Sequence, residues 1–142
     1  MRSIQQILEG KPRAVHAVGP TDTVYAAIAR MAEHHVGALV VIDQGRLVGI
    51  VSERDYARKV VLQGKSSQTT AVSDIMSSPV HTISPDDRAN AAMRIMTDKR
   101  IRHLPVVSAG TMVGMLSIGD LLKVVIADQK AEIAELNRYI SG

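Results

Sequence analysis

Gly49-Ile50-Val51-Ser52-Glu53-Arg54-Asp55 and Gly114-Met115-Leu116-Ser117-Ile118-Gly119-Asp120 are two copies of one pattern, Gly-x-x-Ser-x-x-Asp. In each copy a glycine and two apolar residues end an expected strand. Ser-x-x-Asp then opens an expected helix, from Tyr56 to about Leu62 in the first copy and from Leu121 onward in the second. A helix start leaves backbone N–H groups without partners and carries partial positive charge, so it suits an anion. A carboxylate one turn in has the chemistry to accept hydrogen bonds from two sugar hydroxyls. The same spacing is also that of a capping box, in which the side chains satisfy only the helix's own donors. The motif by itself leaves both readings open.

Working outward, the repetition is not confined to the motif. Residues 15–60 align with 80–125 at a constant offset of 65 without a gap, and 15 of the 46 positions are identical. The identities include His16/His81, Pro20/Pro85, Asp22/Asp87, Met31/Met96, Gly45/Gly110 and the motif's own Gly, Ser and Asp. Upstream, Ile4-Gln5-Gln6-Ile7-Leu8 echoes Val72-Ser73-Asp74-Ile75-Met76. The chain is therefore an internal duplication.

Each copy reads β-α-β-β-α. In the first, a helical turn ends near Leu8 and Lys11-Pro12-Arg13 forms a loop. A short strand follows over 14–18. Pro20-Thr21-Asp22 then enters a helix that carries Val24, Ala27, Ile28 and Met31 on one face and ends near His34-His35. The apolar run 37–42 and the stretch 47–51 form a hairpin around Asp43-Gln44-Gly45-Arg46. Residues 64–70, polar and rich in Ser and Thr, read as a linker. One such unit is too small to bury both faces of its sheet. The expected fold is α+β, with two small sheets packed together, helices outside and a pseudo-twofold axis. From residue 127 to 140 the pattern stays helical, with Ile133, Leu136 and Ile140 on one side. That stripe suits packing on its own domain and a dimer contact equally well.

Composition narrows the chemistry. Three Tyr with no Phe or Trp leave an aliphatic core and few platforms for stacking bases. With no cysteine there is no thiol nucleophile, and a reducing cytoplasm is the expected compartment. The N-terminus lacks a signal peptide's apolar run, and no stretch reaches a membrane span. The densest basic run, Lys99-Arg100-Ile101-Arg102-His103, reads on its own as a solvated face. The five His follow no metal-ligand spacing, so no metal is expected, and no nucleophile or acid/base pair points to an enzyme.

Taken in order, Val72-Ser73-Asp74-Ile75-Met76, Arg102-His103-Leu104-Pro105-Val106-Val107 and the doubled Gly-x-x-Ser-x-x-Asp resemble a pair of CBS (cystathionine-β-synthase) domains. This tandem arrangement is called a Bateman module. The resemblance spans about residues 3–126 and implies repeats at 1–65 and 66–127 with a helical tail at 128–142. It further implies two clefts built from both repeats that bind adenine nucleotides. AMP is the first candidate, ATP, ADP and NAD(H) are the others, and some such clefts bind adenosylmethionine. One cleft would take Ser117, Asp120, Arg102 and His103, walled by Lys11, Ala14, His16, Gly37 and Ala38. The other would take Ser52, Arg54 and Asp55, walled by Ser78, Pro79, Val80 and His81. In such clefts Asp holds the ribose diol and Ser reaches ribose or phosphate. The first repeat has Gly37-Ala38-Leu39-Val40 where the second has Arg102-His103-Leu104-Pro105, which implies unequal affinities.

The expected function is a regulatory nucleotide sensor, not an enzyme, that signals to an unknown protein target or through a homodimer. No nucleic-acid or membrane partner is expected. The rival readings are a dimerisation module whose ligand sites have decayed and, using the basic run, a nucleic-acid-binding protein.

Overall fold

Positive backbone angles mark where each hairpin turns. Gln44 and Gly45 lie at φ 49° and 78°, and Ala109 and Gly110 at 50° and 80°, in the computed structural model, which describes residues 2–12 and 14–141. Two consecutive left-handed residues make a type I′ turn, whose twist matches that of the strands it joins. The first hairpin joins β2 (Ala38–Asp43) to β3 (Arg46–Ser52), and the second joins β4 (His103–Ser108) to β5 (Thr111–Ser117). Each carries a register shift at the same place, Val41/Ile42 in one and Val106/Val107 in the other, so the duplication extends to the bulge.

The first strand of each repeat is shorter than the sequence suggests. β1 is only Ala17–Val18, parallel to β2, and its counterpart in the second repeat is a single parallel bridge from Ile83 to Val106. The sheets thus have three strands and two. Of the N-terminal residues read as a turn and loop, Met1 and Arg13 lie outside the described residues.

Helix α2 (Val24–His34) buries Val24, Ala27 and Met31, and α4 (Ala89–Lys99) buries Ala89, Ala92 and Met96, as the spacing predicts. Thr23, one residue past the expected entry, caps α2 by accepting from Ala26 N, while Asp22 accepts from Gly19 N. Residues 64–70 are not a free linker. Thr70 O and Ser67 O accept from Val24 N and Tyr25 N, the first two orphan donors of α2, and Thr70 is buried.

The compact units do not follow the order of the repeats. One is Ala14–His81, and the other joins Met1–Arg13 to Thr82–Gly142. Helix α1 (Ile4–Glu9) therefore packs Ile4, Ile7 and Leu8 into the core of the second repeat, with Leu104, Leu116 and Leu121. Val72 and Ile75, which head the second repeat in sequence, pack with Leu39, Val41 and Val51 of the first. Backbone bonds repeat the exchange: Ile4 N donates to Asp87 O and Gln5 N to Pro85 O, and likewise Val72 N to Asp22 O and Ser73 N to Pro20 O.

The exchange explains the motif's glycine. A Cβ at Gly114 would lie 2.8 Å from Leu8 Cδ2, and one at Gly49 would lie 2.9 Å from Met76 Cγ. Each glycine admits the segment that crosses its strand at close approach.

After Ser52 the chain runs through α3 (Glu53–Tyr56) into a π-helical stretch, Ala57–Val61, so the helix begins before the expected Tyr56. In the second repeat the corresponding helix, α5 (Ile118–Ser141), continues for 24 residues and absorbs the tail. No helix among the described residues is long and apolar enough to cross a membrane.

Candidate functional site

Both Ser-x-x-Asp motifs are formed capping boxes. Ser52 N donates to Asp55 Oδ2 at 2.9 Å and Asp55 N to Ser52 Oγ at 3.2 Å. Ser117 N donates to Asp120 Oδ2 at 2.8 Å and Asp120 N to Ser117 Oγ at 3.2 Å. The β strands fix the approach, since Ala38 pairs with Ser52 and His103 with Ser117. The first helical N–H of each motif donates across to the residue just before the paired strand, Glu53 N to Gly37 O and Ile118 N to Arg102 O.

Beyond the cap, the two motifs differ in what is left over. At Asp55, Oδ2 also accepts from Ser52 Oγ at 3.0 Å, and Oδ1 lies 3.2 Å from Lys59 Nζ one helical turn on. That ammonium also donates to Ile75 O at 2.8 Å. Both carboxylate oxygens are engaged within their own unit. At Asp120 the cation arrives from elsewhere in the sequence: Lys11 Nζ donates to Asp120 Oδ2 at 2.7 Å and to Met115 O at 2.8 Å. Asp120 Oδ1 makes no hydrogen bond among the described residues. An ammonium has three donors, and two of those of Lys11 are used.

Electrostatics follow from this arrangement. Burial alone would raise the Asp120 carboxyl, but hydrogen bonds from Lys11 and Ser117, with the charge of Lys11, outweigh it and hold the group below the usual carboxylate value. His103 moves the other way relative to its charge. Burial pushes its imidazole below the usual 6.5, the Asp120 carboxylate opposes this, and the Lys11 and Arg102 cations reinforce it. The cluster thus holds an ionised carboxylate, an ammonium, an exposed guanidinium and a neutral imidazole.

A histidine depressed in the folded state binds fewer protons there than when unfolded. Stability therefore rises with pH through the window between its lowered folded value and 6.5. Denaturant unfolding at about pH 5 and pH 7 should show this slope, and His103→Gln should reduce it without abolishing it, because the His16 imidazole is lowered as well. The Asp120 contribution is lost only further down, as pH falls through a value already below 3.8.

The residues named from sequence fall into two groups. Lys11, Arg102, His103, Ser117 and Asp120 belong to the unit that contains the second repeat. Ala14, His16, Gly37, Ala38, Ser52, Arg54, Asp55, Ser78, Pro79, Val80 and His81 belong to the other. Within that second unit Gly37 and Ala38 lie beside the Ser52 motif through the Ala38–Ser52 pair. Ser77 bridges Ile50, so residues 78–81 leave from beside the same strand end, with the Ser78–Pro79 bond cis. His16 gives its carbonyl to Val40 N, and its ring stacks on His34 with centroids 3.7 Å apart. Partial burial, then the His34 and Arg30 charges, lower the His16 imidazole, and Glu33 opposes them. Two contributions were missed from sequence. Lys59 stands four residues after Asp55, a helical pairing legible as Asp-x-x-x-Lys. The His16–His34 stack carries no sequence signal.

Comparison with known proteins adds the lineage. The CBS domain family matches residues 12–62 and again 72–127. The CBS domain-containing protein CBSX3, mitochondrial, of Arabidopsis thaliana is 47% identical over 126 residues, covering 85% of this chain and 61% of that protein. The protein MK0525 of Methanopyrus kandleri is 38% identical over 126 residues, covering 87% and 64%. The chain thus spans somewhat less than two thirds of these relatives' lengths. Among solved structures, a CBS-domain protein of Burkholderia ambifaria MC40-6 is 49% identical with a TM-score of 0.87, covering 90% of this chain and 96% of that one. A hexameric CBS-CP12 protein from bloom-forming cyanobacteria is 28% identical with a TM-score of 0.78, covering 86% and 70%. The CBS domain pair of protein MJ0100, solved with 5′-methylthioadenosine and S-adenosyl-L-methionine, shares the fold at 22% identity with a TM-score of 0.80, covering 90% and 98%. With two family matches over a duplicated mixed α+β fold of small sheets and helices, the chain belongs to the CBS-domain family as a tandem CBS pair.

Proposed function

We propose that this CBS pair is a regulatory module that binds an adenine nucleotide, AMP first among AMP, ADP, ATP and NAD(H), and does no chemistry on it. The observation that carries the reading is the state of Asp120. It is an ionised carboxylate whose Oδ1 makes no hydrogen bond among the described residues, one turn into a helix, with Ser117, Lys11, Arg102 and His103 in the same unit. A carboxylate of this kind accepts from two vicinal hydroxyls, and an ammonium with a guanidinium suits phosphate. The adenosyl ligands of the MJ0100 pair support this at the level of the fold. Asp55, with both oxygens engaged by Ser52 and Lys59, favours a structural cap in the first repeat. We therefore propose two unequal events, the tighter one at Asp120.

The signal passes to a protein target or through a homodimer, and the hexameric CBS-CP12 relative supports assembly by this family. The cytoplasm stays the proposed compartment, beside one relative named as mitochondrial. A thermal-shift screen with AMP, ATP, NADH and a short oligonucleotide tests the reading. At a hundredfold excess over its dissociation constant a ligand adds about 2.7 kcal/mol, a rise of several degrees. A shift with the oligonucleotide alone would favour nucleic acid. No shift with any of the four would favour a dimerisation module.

A further inference from the structure

The last buried side chain of α5 is Val124, yet the helix runs on to Ser141 with residues 131–141 all exposed. Ile133 is 57% exposed, Leu136 59% and Ile140 81%, so the apolar stripe is not covered by its own chain. Nor is its upstream continuation, since Leu122 and Ile126 are also exposed. An isolated helical extension of this length is marginal in water, and an apolar stripe along it asks for a partner.

The stripe has a stricter period than a helix packed on a globular core requires. Leu122, Ile126, Gln129, Ile133, Leu136 and Ile140 alternate in steps of four and three. In heptad terms Ile126, Ile133 and Ile140 occupy a, and Leu122, Gln129 and Leu136 occupy d. β-branched residues at a with leucine at d favour two parallel strands.

We propose that α5 pairs with the same helix of a second copy of this chain as a parallel, in-register coiled coil over residues 122–140, about 27 Å of seam. The proposal rests on the self-association proposed above and gives it a seat; it is independent of the nucleotide.

Gln129 and the flanking charges choose both the occupant and its direction. In a parallel pair Gln129 meets Gln129 of the second copy, where two amides satisfy each other. In any antiparallel register d faces a, so Gln129 would lie against an isoleucine with its amide unpaired. The parallel pair sets Ile118 beside Lys123, Val125 beside Lys130 and Glu132 beside Asn137 across the seam, with no like charges in contact. The antiparallel register that uses the full stripe, pairing Ile126 with Leu136, would put Lys130 against Lys130 and Glu132 against Glu132. The seam continues an already exposed face of α5, and residues 131–141 carry no buried side chain that pairing would disturb.

Sedimentation equilibrium of the intact chain and of Ile133→Glu is the first test. The intact chain should be a dimer, and Ile133→Glu should raise the dissociation constant on the order of a hundredfold, because a charge enters a desolvated seam. At dilutions where both are monomeric, thermal melting of the variant should match that of the intact chain, since Ile133 touches no core. The second test uses the absence of native cysteine. Ile140→Cys should oxidise to a covalent dimer at least about tenfold faster than Ala131→Cys on the outer face, because only facing cysteines meet the geometry of a disulfide. If the dimer persists in Ile133→Glu, or Ile140→Cys links no faster than Ala131→Cys, the coil is wrong and self-association stands on another face. If the intact chain is monomeric at high concentration, both the coil and the homodimer fail. Nucleotide binding is untouched by either result.

Discussion

Deleting residues 2–10 should unfold the unit built on the second repeat, although those residues precede the first. Ile4, Ile7 and Leu8 are buried there against Leu104, Leu116 and Leu121. Three fully buried aliphatic side chains correspond to roughly 5–9 kcal/mol of transfer free energy, an upper figure for the folded unit. A domain's whole stability is about 5–15 kcal/mol, so the deletion removes most of it. The loss is compounded at Gly114, where the strand is left open beside the site of Leu8, and at Ala89 N, which loses its acceptor Arg2 O. Hydrogen exchange separates the outcomes. Amides of 103–117 should lose protection, while those of 38–52, held by Val72 and Ile75, keep theirs. Unchanged protection in both hairpins, or loss confined to 38–52, would contradict the exchange of segments. The single substitution Leu8→Ala should cost about 2–5 kcal/mol in the same unit.

The second large effect is expected at Asp120, where cap and ligand roles can be pulled apart. Asp120→Asn keeps an oxygen to accept from Ser117 N, so most of the cap survives. Loss of a cap altogether would cost about 0.5–2 kcal/mol. The amide presents one acceptor where the carboxylate presents two, and it removes the charge that pairs with Lys11 Nζ at 2.7 Å. If Asp120 holds the ribose diol, nucleotide affinity should fall by about 2–3 kcal/mol, roughly thirty- to a hundred-and-fiftyfold. Asp55→Asn should change nucleotide affinity far less, because its oxygens are already taken by Ser52 and Lys59. Equal losses from the two variants would show that the engaged carboxylate binds as well as the open one.

Much of this was legible in the sequence because the signals are local. The helices over 24–34 and 89–99, the hairpin turns and the capping boxes each follow from spacing within a few residues, and the offset of 65 reproduces even the left-handed His35 and Arg100 at the helix ends. What escaped was set at long range. Ile4, Ile7 and Leu8 are chemically interchangeable with Val72, Ile75 and Met76, so nothing in either segment says which sheet it will cover. Lys11 reaches Asp120 across 109 positions, which no spacing rule anticipates and only the family resemblance, by setting both in one cleft, implies. The first strand shrank to Ala17–Val18 and to the Ile83 bridge, because an edge strand is set by its partner more than by its own residues. The tail's pattern suits its own domain and a partner equally well, and its exposure past Val124 shows that its own chain does not cover it.

Isothermal titration of the intact chain with AMP tests the central claim most directly. Saturable heat is expected, with a dissociation constant in the micromolar range, about 7–8 kcal/mol of binding free energy, and with 2′-deoxy-AMP bound more weakly because one hydroxyl that Asp120 would hold is gone. Absence of heat with AMP, and equally with ADP, ATP and NAD, would contradict the account and leave the two Ser-x-x-Asp motifs as helix caps alone.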